Sequence, residues 1–153
     1  MALQHLKTIT VTPTVDTLIY ASGDLIGGLL TFDGVRLIGG AVIKTVTLVD
    51  QAKQNAAIDL VLFGGNLSGT TLTNNGVLDV ADADLLTYLG HVSIPAANYA
   101  PFNDNSAATV KDINLYLLPA ATGTAIYGVL VSRGTPTYAA ATDLQLSVTL
   151  ARE

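Results

Sequence analysis

Cysteine and tryptophan are absent from this 153-residue chain, methionine occurs once, and charged residues make up 12% of it, about half the share usual in soluble proteins. Without cysteine there is no disulfide framework and no thiolate chemistry, and the redox compartment is left open. The seven basic residues, Lys7, Arg36, Lys44, Lys53, Lys111, Arg133 and Arg152, stand singly in a chain of net charge −5. The electrostatic footprint of a nucleic-acid binder is therefore missing. Glutamate is nearly absent as well: eleven of the twelve acidic residues are aspartate and the exception is Glu153, a balance that suits turns and caps better than helices.

Long apolar runs are missing too. The longest uncharged stretch, Ile113 to Ser132, is interrupted by Asn114, Pro119, Thr122, Gly123, Thr124 and Gly128, so no run of about 20 apolar residues is available to cross a bilayer as a helix. The start, MALQHLKTITVTP, lacks the basic, apolar and small-residue regions of a secretory signal, and the expectation is a chain made in the cytoplasm. Its length fits a single domain over residues 1–153, with no internal repeat or linker.

What remains is β-strand material, 50% hydrophobic with a mean hydropathy of +0.48. The centre of the chain is Ala41 to Phe63. Val42, Lys44, Val46 and Leu48 fall on one face at period two and Ile43, Thr45, Thr47 and Val49 on the other, as in a central strand. A polar connection from Asp50 to Asn55 then allows Ile58 to Phe63 to return antiparallel to it. Before this lie a strand over Leu6–Thr12 ended by Pro13, and short apolar runs at Leu18–Tyr20 and Leu29–Phe32 punctuated by Gly27-Gly28 and Asp33-Gly34. After it, Asn75-Gly76 suggests a hairpin turn between Leu72-Thr73 and Val77-Leu78. Asp82 or Asp84 is placed to cap one short helix through Leu85, Leu86, Tyr88 and Leu89, stopped by Gly90. His91–Ile94 reads as a strand, Ala96–Ala108 as a long connection, and Ile113–Leu118, Ile126–Ser132 and Leu144–Leu150 as strands. The fold class expected is all-β: an antiparallel β-sandwich with one short helix, the jelly roll being one form it allows.

Motifs for chemistry are weak. Gly64-Gly65-Asn66-Leu67-Ser68-Gly69-Thr70-Thr71 has the glycine spacing of a phosphate loop, but Thr70 stands where the lysine belongs and LTNNGVLDV is no helix, which leaves a flexible surface loop. Asp79, Asp82 and Asp84 lack the further oxygen ligands, glycine and terminal glutamate of a calcium loop, and helix capping accounts for them more simply. His5 and His91 have no partner at zinc-ligand spacing, and no G-x-S-x-G elbow marks a nucleophile. Asn66-Leu67-Ser68 matches a glycosylation sequon by chance, given no signal peptide. Tyr20, Tyr88, Tyr99, Tyr116, Tyr127 and Tyr138 suit the edge of a core or a subunit interface better than sugar stacking, since they do not cluster and no tryptophan joins them. The expected site list is accordingly empty: no catalytic residue, no metal, no cofactor.

The segments YASGDLIGGLLTF, TVTLVDQAKQNAAIDLVLF, DADLLTYLGHVSI and LYLLPAATGTAIYGVLVSRGTPTYAAATDLQLSVTL together resemble a family of small virion structural proteins of tailed bacteriophages, of the capsid decoration or cement type. The likeness is fold-wide and transfers no functional residue. It implies a non-enzymatic β-rich protein on the outside of an icosahedral head, often a homotrimer, with the major capsid protein as partner and neither nucleic acid nor membrane. A tail or head-to-tail component and a carbohydrate-binding module for host attachment are the alternatives. The sparse charge agrees with a surface covered by partners.

Overall fold

The computed structural model describes residues 5–35, 40–118 and 123–152. Ten strands appear among them: β1 (His5–Val11), β2 (Leu25–Phe32), β3 (Ala41–Asp50), β4 (Ile58–Phe63), β5 (Tyr88–Ile94), β6 (Tyr99–Pro101), β7 (Ser106–Val110), β8 (Leu115–Leu117), β9 (Ile126–Ser132) and β10 (Leu144–Arg152). One four-residue helix, α1 (Asp82–Leu85), precedes β5, and a single 3-10 turn, Ala96–Asn98, follows it.

The strands form two antiparallel sheets, β1-β10-β3-β7-β6 with β8 also on β3, and β2-β9-β4-β5. The pairings are nested along the chain: β1 with β10, β2 with β9, β3 with β7 and β8, β4 with β5. A ribbon paired in this way, with alternate rungs in opposite sheets, is a jelly roll, so the expected sandwich is found in its rolled form. The nesting also corrects one expectation. β3 and β4 do not pair as a hairpin; Gln51 to Ala57 carries the chain from one sheet to the other, and β4 lies between β9 and β5.

The main core lies between the sheets and includes Ile43, Val46, Leu48, Leu60, Leu62, Ile94, Leu130, Leu146 and Val148. Strand β3 reaches it through a β-bulge. Thr149 opposes Thr45 but Leu150 opposes Ile43, which leaves Lys44 as the extra residue. The bulge switches the facing by one, so that Ala41 and Ile43 point inward before it and Val46, Leu48 and Asp50 after it, while Val42 and Lys44 do not. The straight alternation expected for this strand, with Val42 grouped beside Val46, is thereby overturned.

Other local differences have similar causes. Gly27 and Gly28 are inside β2, in an irregularity between Ile26 and Leu30, rather than before the strand. Leu18 and Ile19 form no strand and are exposed, whereas Tyr20 is buried. A turn forms one residue earlier than expected, over Thr73–Gly76 with Asn74-Asn75 at its centre and Gly76 N–H on Thr73 O, and its flanks do not pair; Val77 bridges to Asp24 instead. The stretch Ala96–Ala108, read as a connection, contains β6 and the start of β7; β7 is a strand on β3, since Ala108 packs into the core and Thr47 meets Thr109.

Residues 64–81 are not a loose surface loop. Leu67 is buried with Leu25, Phe63, Val129 and Val131, and Leu72, Leu78 and Val80 pack against this second, smaller core on the outer face of the β2-β9-β4-β5 sheet. That is why β9 is apolar on both faces, unlike β10.

Candidate interaction surface

In the glycine-rich segment, Asp84 Oδ2 accepts hydrogen bonds from Gly69 N (2.9 Å) and Thr70 Oγ1 (2.6 Å). The N–H and hydroxyl that a phosphate would need are thus already paired with a carboxylate of the chain itself, so the loop is not an anion cradle. The same contact corrects the capping expectation. Ala81 is the N-cap of α1, with no side-chain cap, and Asp84 fastens the loop to the helix. Asp79 and Asp82 line an open hollow beside Gly69, Thr71, Thr73 and Val77. Among the described residues no three His, Cys, Asp or Glu side chains are grouped to hold a metal ion.

The expected helix through Leu89 stops four residues earlier. Thr87 donates both its N–H and its hydroxyl to Asp84 O (2.9 and 2.8 Å) and accepts from Gly64 N–H, which delivers Tyr88 in extended conformation opposite Phe63. Pairing with β4 outweighs the weak helical preference of so short a run. Gly90, expected as a helix stop, lies in the strand beside a bulge at Leu89, with φ of +144° and Leu115 of β8 close against it.

His5 and His91 are exposed on β1 and β5, edge strands of different sheets; His91 Nδ1 is 2.8 Å from Tyr88 OH. Asn66 and Ser68 are exposed around the buried Leu67. Of the tyrosines, Tyr20, Tyr99 and Tyr138 are core residues. Tyr20 and Tyr138 meet edge to face at 5.9 Å, Tyr20 OH donates to Asn74, and Tyr99 OH donates to Ala56 O. Burial raises the hydroxyl pKa of Tyr99 and Tyr138 well above the usual tyrosine range. Tyr88 and Tyr116 are exposed.

Near the buried tyrosines lies a carboxylate that sequence reasoning treated only as a turn residue. Asp50 is buried and accepts from Ala52 N–H (3.1 Å) and Asn55 N–H (2.9 Å). Burial pushes its carboxyl above the usual range; the N–H groups of Asn55, Gln54 and Ala52 pull against this, and the neighbouring Asp143 charge adds to it. A carboxyl raised on folding contributes stability that is full below the unfolded aspartate pKa and is lost as pH rises through its folded value. The stability of the wild type relative to Asp50→Asn, measured by urea unfolding, is therefore expected to be greater at pH 4 than at pH 7. A difference that stays constant or shrinks on acidification would contradict the assignment. The double difference is needed because Asp59 works in the opposite direction: burial raises it, but Arg133 (2.7 Å) and Ser93 more than offset this and leave it lowered.

The remaining feature is a surface. β5 and β8 are outer strands: among the described residues β5 pairs only with β4 and β8 only with β3. The approach of Leu115 to Gly90 brings the two edges side by side across the sandwich. Leu86, Tyr88, Tyr116 and Leu118 project there into solvent. Leu118 stands between two hollows, one of about 250 Å³ against Leu86, Tyr88 and Leu89, the other of about 170 Å³ against Val42 and Tyr116. Among the described residues no charged side chain lines either. Sequence reading had placed Leu86, Tyr88 and Leu89 on a helix, so nothing in it joined them to Tyr116 and Leu118.

No family model and no curated protein matches the sequence. Solved structures similar to it include a family two carbohydrate esterase from Cellvibrio japonicus, 13% identical, with a TM-score of 0.28 over 96% of this chain and 34% of the esterase chain. Another is a chain of the native virion of Kashmir bee virus at neutral pH, 9% identical, with a TM-score of 0.28 over 97% of this chain and 70% of that one. This chain thus spans about a third of the esterase chain. Among the described residues no helix is long and apolar enough to cross a membrane.

Proposed function

We propose that this protein is a non-enzymatic virion structural protein, a capsid decoration or cement protein that binds the outside of an icosahedral phage head as a homotrimer and stabilises contacts between capsomers. The observation that carries the reading is the uncharged apolar edge formed by Leu86, Tyr88, Tyr116 and Leu118, in a chain with only 12% charged residues. A surface of that kind is what a protein presents to other proteins. The sequence resemblance to phage virion proteins supplies the setting.

A cement protein needs no reaction centre. It bridges neighbouring capsomers, and several modest contacts reinforce one another because each raises the effective concentration of the next.

Purified protein added to heads that lack it should bind to saturation and raise the temperature or EDTA concentration at which the heads release DNA. Failure both to bind and to strengthen would overturn the proposal and bring a tail or host-attachment role forward. Hydrolytic turnover by the isolated protein would point to an enzyme instead.

A further inference from the structure

We infer that copies of this chain meet one another through the β5/β8 edge, with Leu86, Tyr88, Tyr116 and Leu118 at the centre of the contact. The inference rests on the reading above that the protein assembles with itself, and it names the face that does so.

The exposed area suits such a contact. Leu86 is 88% exposed, Tyr116 75%, Leu118 68% and Tyr88 44%, so these four side chains alone leave on the order of 450 Å² of largely apolar surface in water. A contact of standard size covers about 800 Å² of each partner, with an apolar centre and a polar rim. The patch is large enough for that centre.

Charge decides the occupant. A chain of net charge −5 repels its own copies wherever acidic faces approach, and among the described residues neither hollow on this edge is lined by a charged side chain. Two copies meeting through these hollows bring no like charges of the described residues together there, whereas a strongly basic or acidic partner would find no counter-charge among them.

Shape agrees with this choice. Leu118 is a projecting side chain with a hollow on either side, so the same face supplies both knob and socket, as copies packed around a symmetry axis require. The backbone is also available. β5 carries no lysine or proline between Tyr88 and Ile94, and its bulge at Leu89 is the only edge protection found within it.

The test is the mass of the wild type, Leu86→Asp, Leu118→Asp and Val77→Asp by multi-angle light scattering, with circular dichroism to verify folding. Val77 is exposed on the loop 64–81 and serves as the control. The expected result is an oligomeric wild type and Val77→Asp, with both edge variants reduced to the single-chain mass of 15.8 kDa. An oligomeric wild type whose edge variants keep their mass overturns this inference and leaves self-assembly standing; a monomeric wild type removes both. Hydrogen exchange on the unmodified protein gives a second reading independent of variant folding. Amides of Tyr88–Ile94 should gain protection as concentration rises, and protection there that does not change with concentration while the mass does also overturns the assignment.

Discussion

Gly27→Ala is expected to lower the melting temperature by roughly 4–20 °C, and Gly28→Ala, one residue later, by only about 2–8 °C. Both glycines have positive φ, +81° and +92°, where an L side chain costs about 1–2 kcal/mol. They differ in what a methyl group would meet. At Gly27 the added Cβ would fall 2.6 Å from Pro13 Cβ and 3.2 Å from both Pro13 Cα and Thr14 N; at Gly28 there is nothing within 4 Å. Pro13 follows β1 in the opposite sheet and cannot give way without moving backbone, so overpacking adds about 1–3 kcal/mol at Gly27 alone. At this chain length 1 kcal/mol corresponds to about 2–4 °C. Equal losses for the two variants, measured by calorimetry, would mean that Gly27 is required for its conformation and not for the approach of Pro13.

Ile43→Ala should cost about 2–5 kcal/mol, and its neighbour Val42→Ala less than about 1 kcal/mol. Ile43 is fully buried between the sheets, while Val42 is half-buried on the other face, beside Tyr116. The contrast follows from the bulge at Lys44. Without it, Val42 would share the inner face with Val46 and Leu48, and the order of the two effects would reverse. Urea unfolding of both variants decides between a bulged and a straight β3, and a larger loss for Val42→Ala would rule out the bulge.

The strands that were legible from sequence share a feature: their pairing partners agree with their own local pattern. Ile58–Phe63 and Ile126–Ser132 have the expected limits, and Leu144–Leu150 is extended by only two residues. The strands that were missed or displaced owe their form to something distant in the chain. Ser106–Val110 has little apolar character of its own and is a strand because β3 offers it a ladder. Tyr88 and Leu89 are extended because Phe63 and Leu62 pair with that end of β5. Asp84 is a tether because Gly69 and Thr70 lie above it.

By itself, then, the sequence determined the class of fold and the terms on which the surface works. Recurrent short β-branched and apolar runs, aspartate with almost no glutamate, and punctuation by glycine and proline restrict the chain to antiparallel sheets, because each of these signals acts within a few residues. Composition likewise made the chain sparse in charge before any folding. Only the tertiary structure decided which strands share a sheet, since nested pairing sends β1 to β4 alternately to opposite sheets and links residues more than 100 positions apart, such as Thr8 with Thr149. The facing of β3 was decided there as well, because a one-residue bulge inverts a period-two pattern without altering its composition. The candidate interface is a product of the same folding: Leu86 and Tyr88 come from one segment, Tyr116 and Leu118 from another, and they form one apolar edge only because β5 and β8 end the two sheets on the same side.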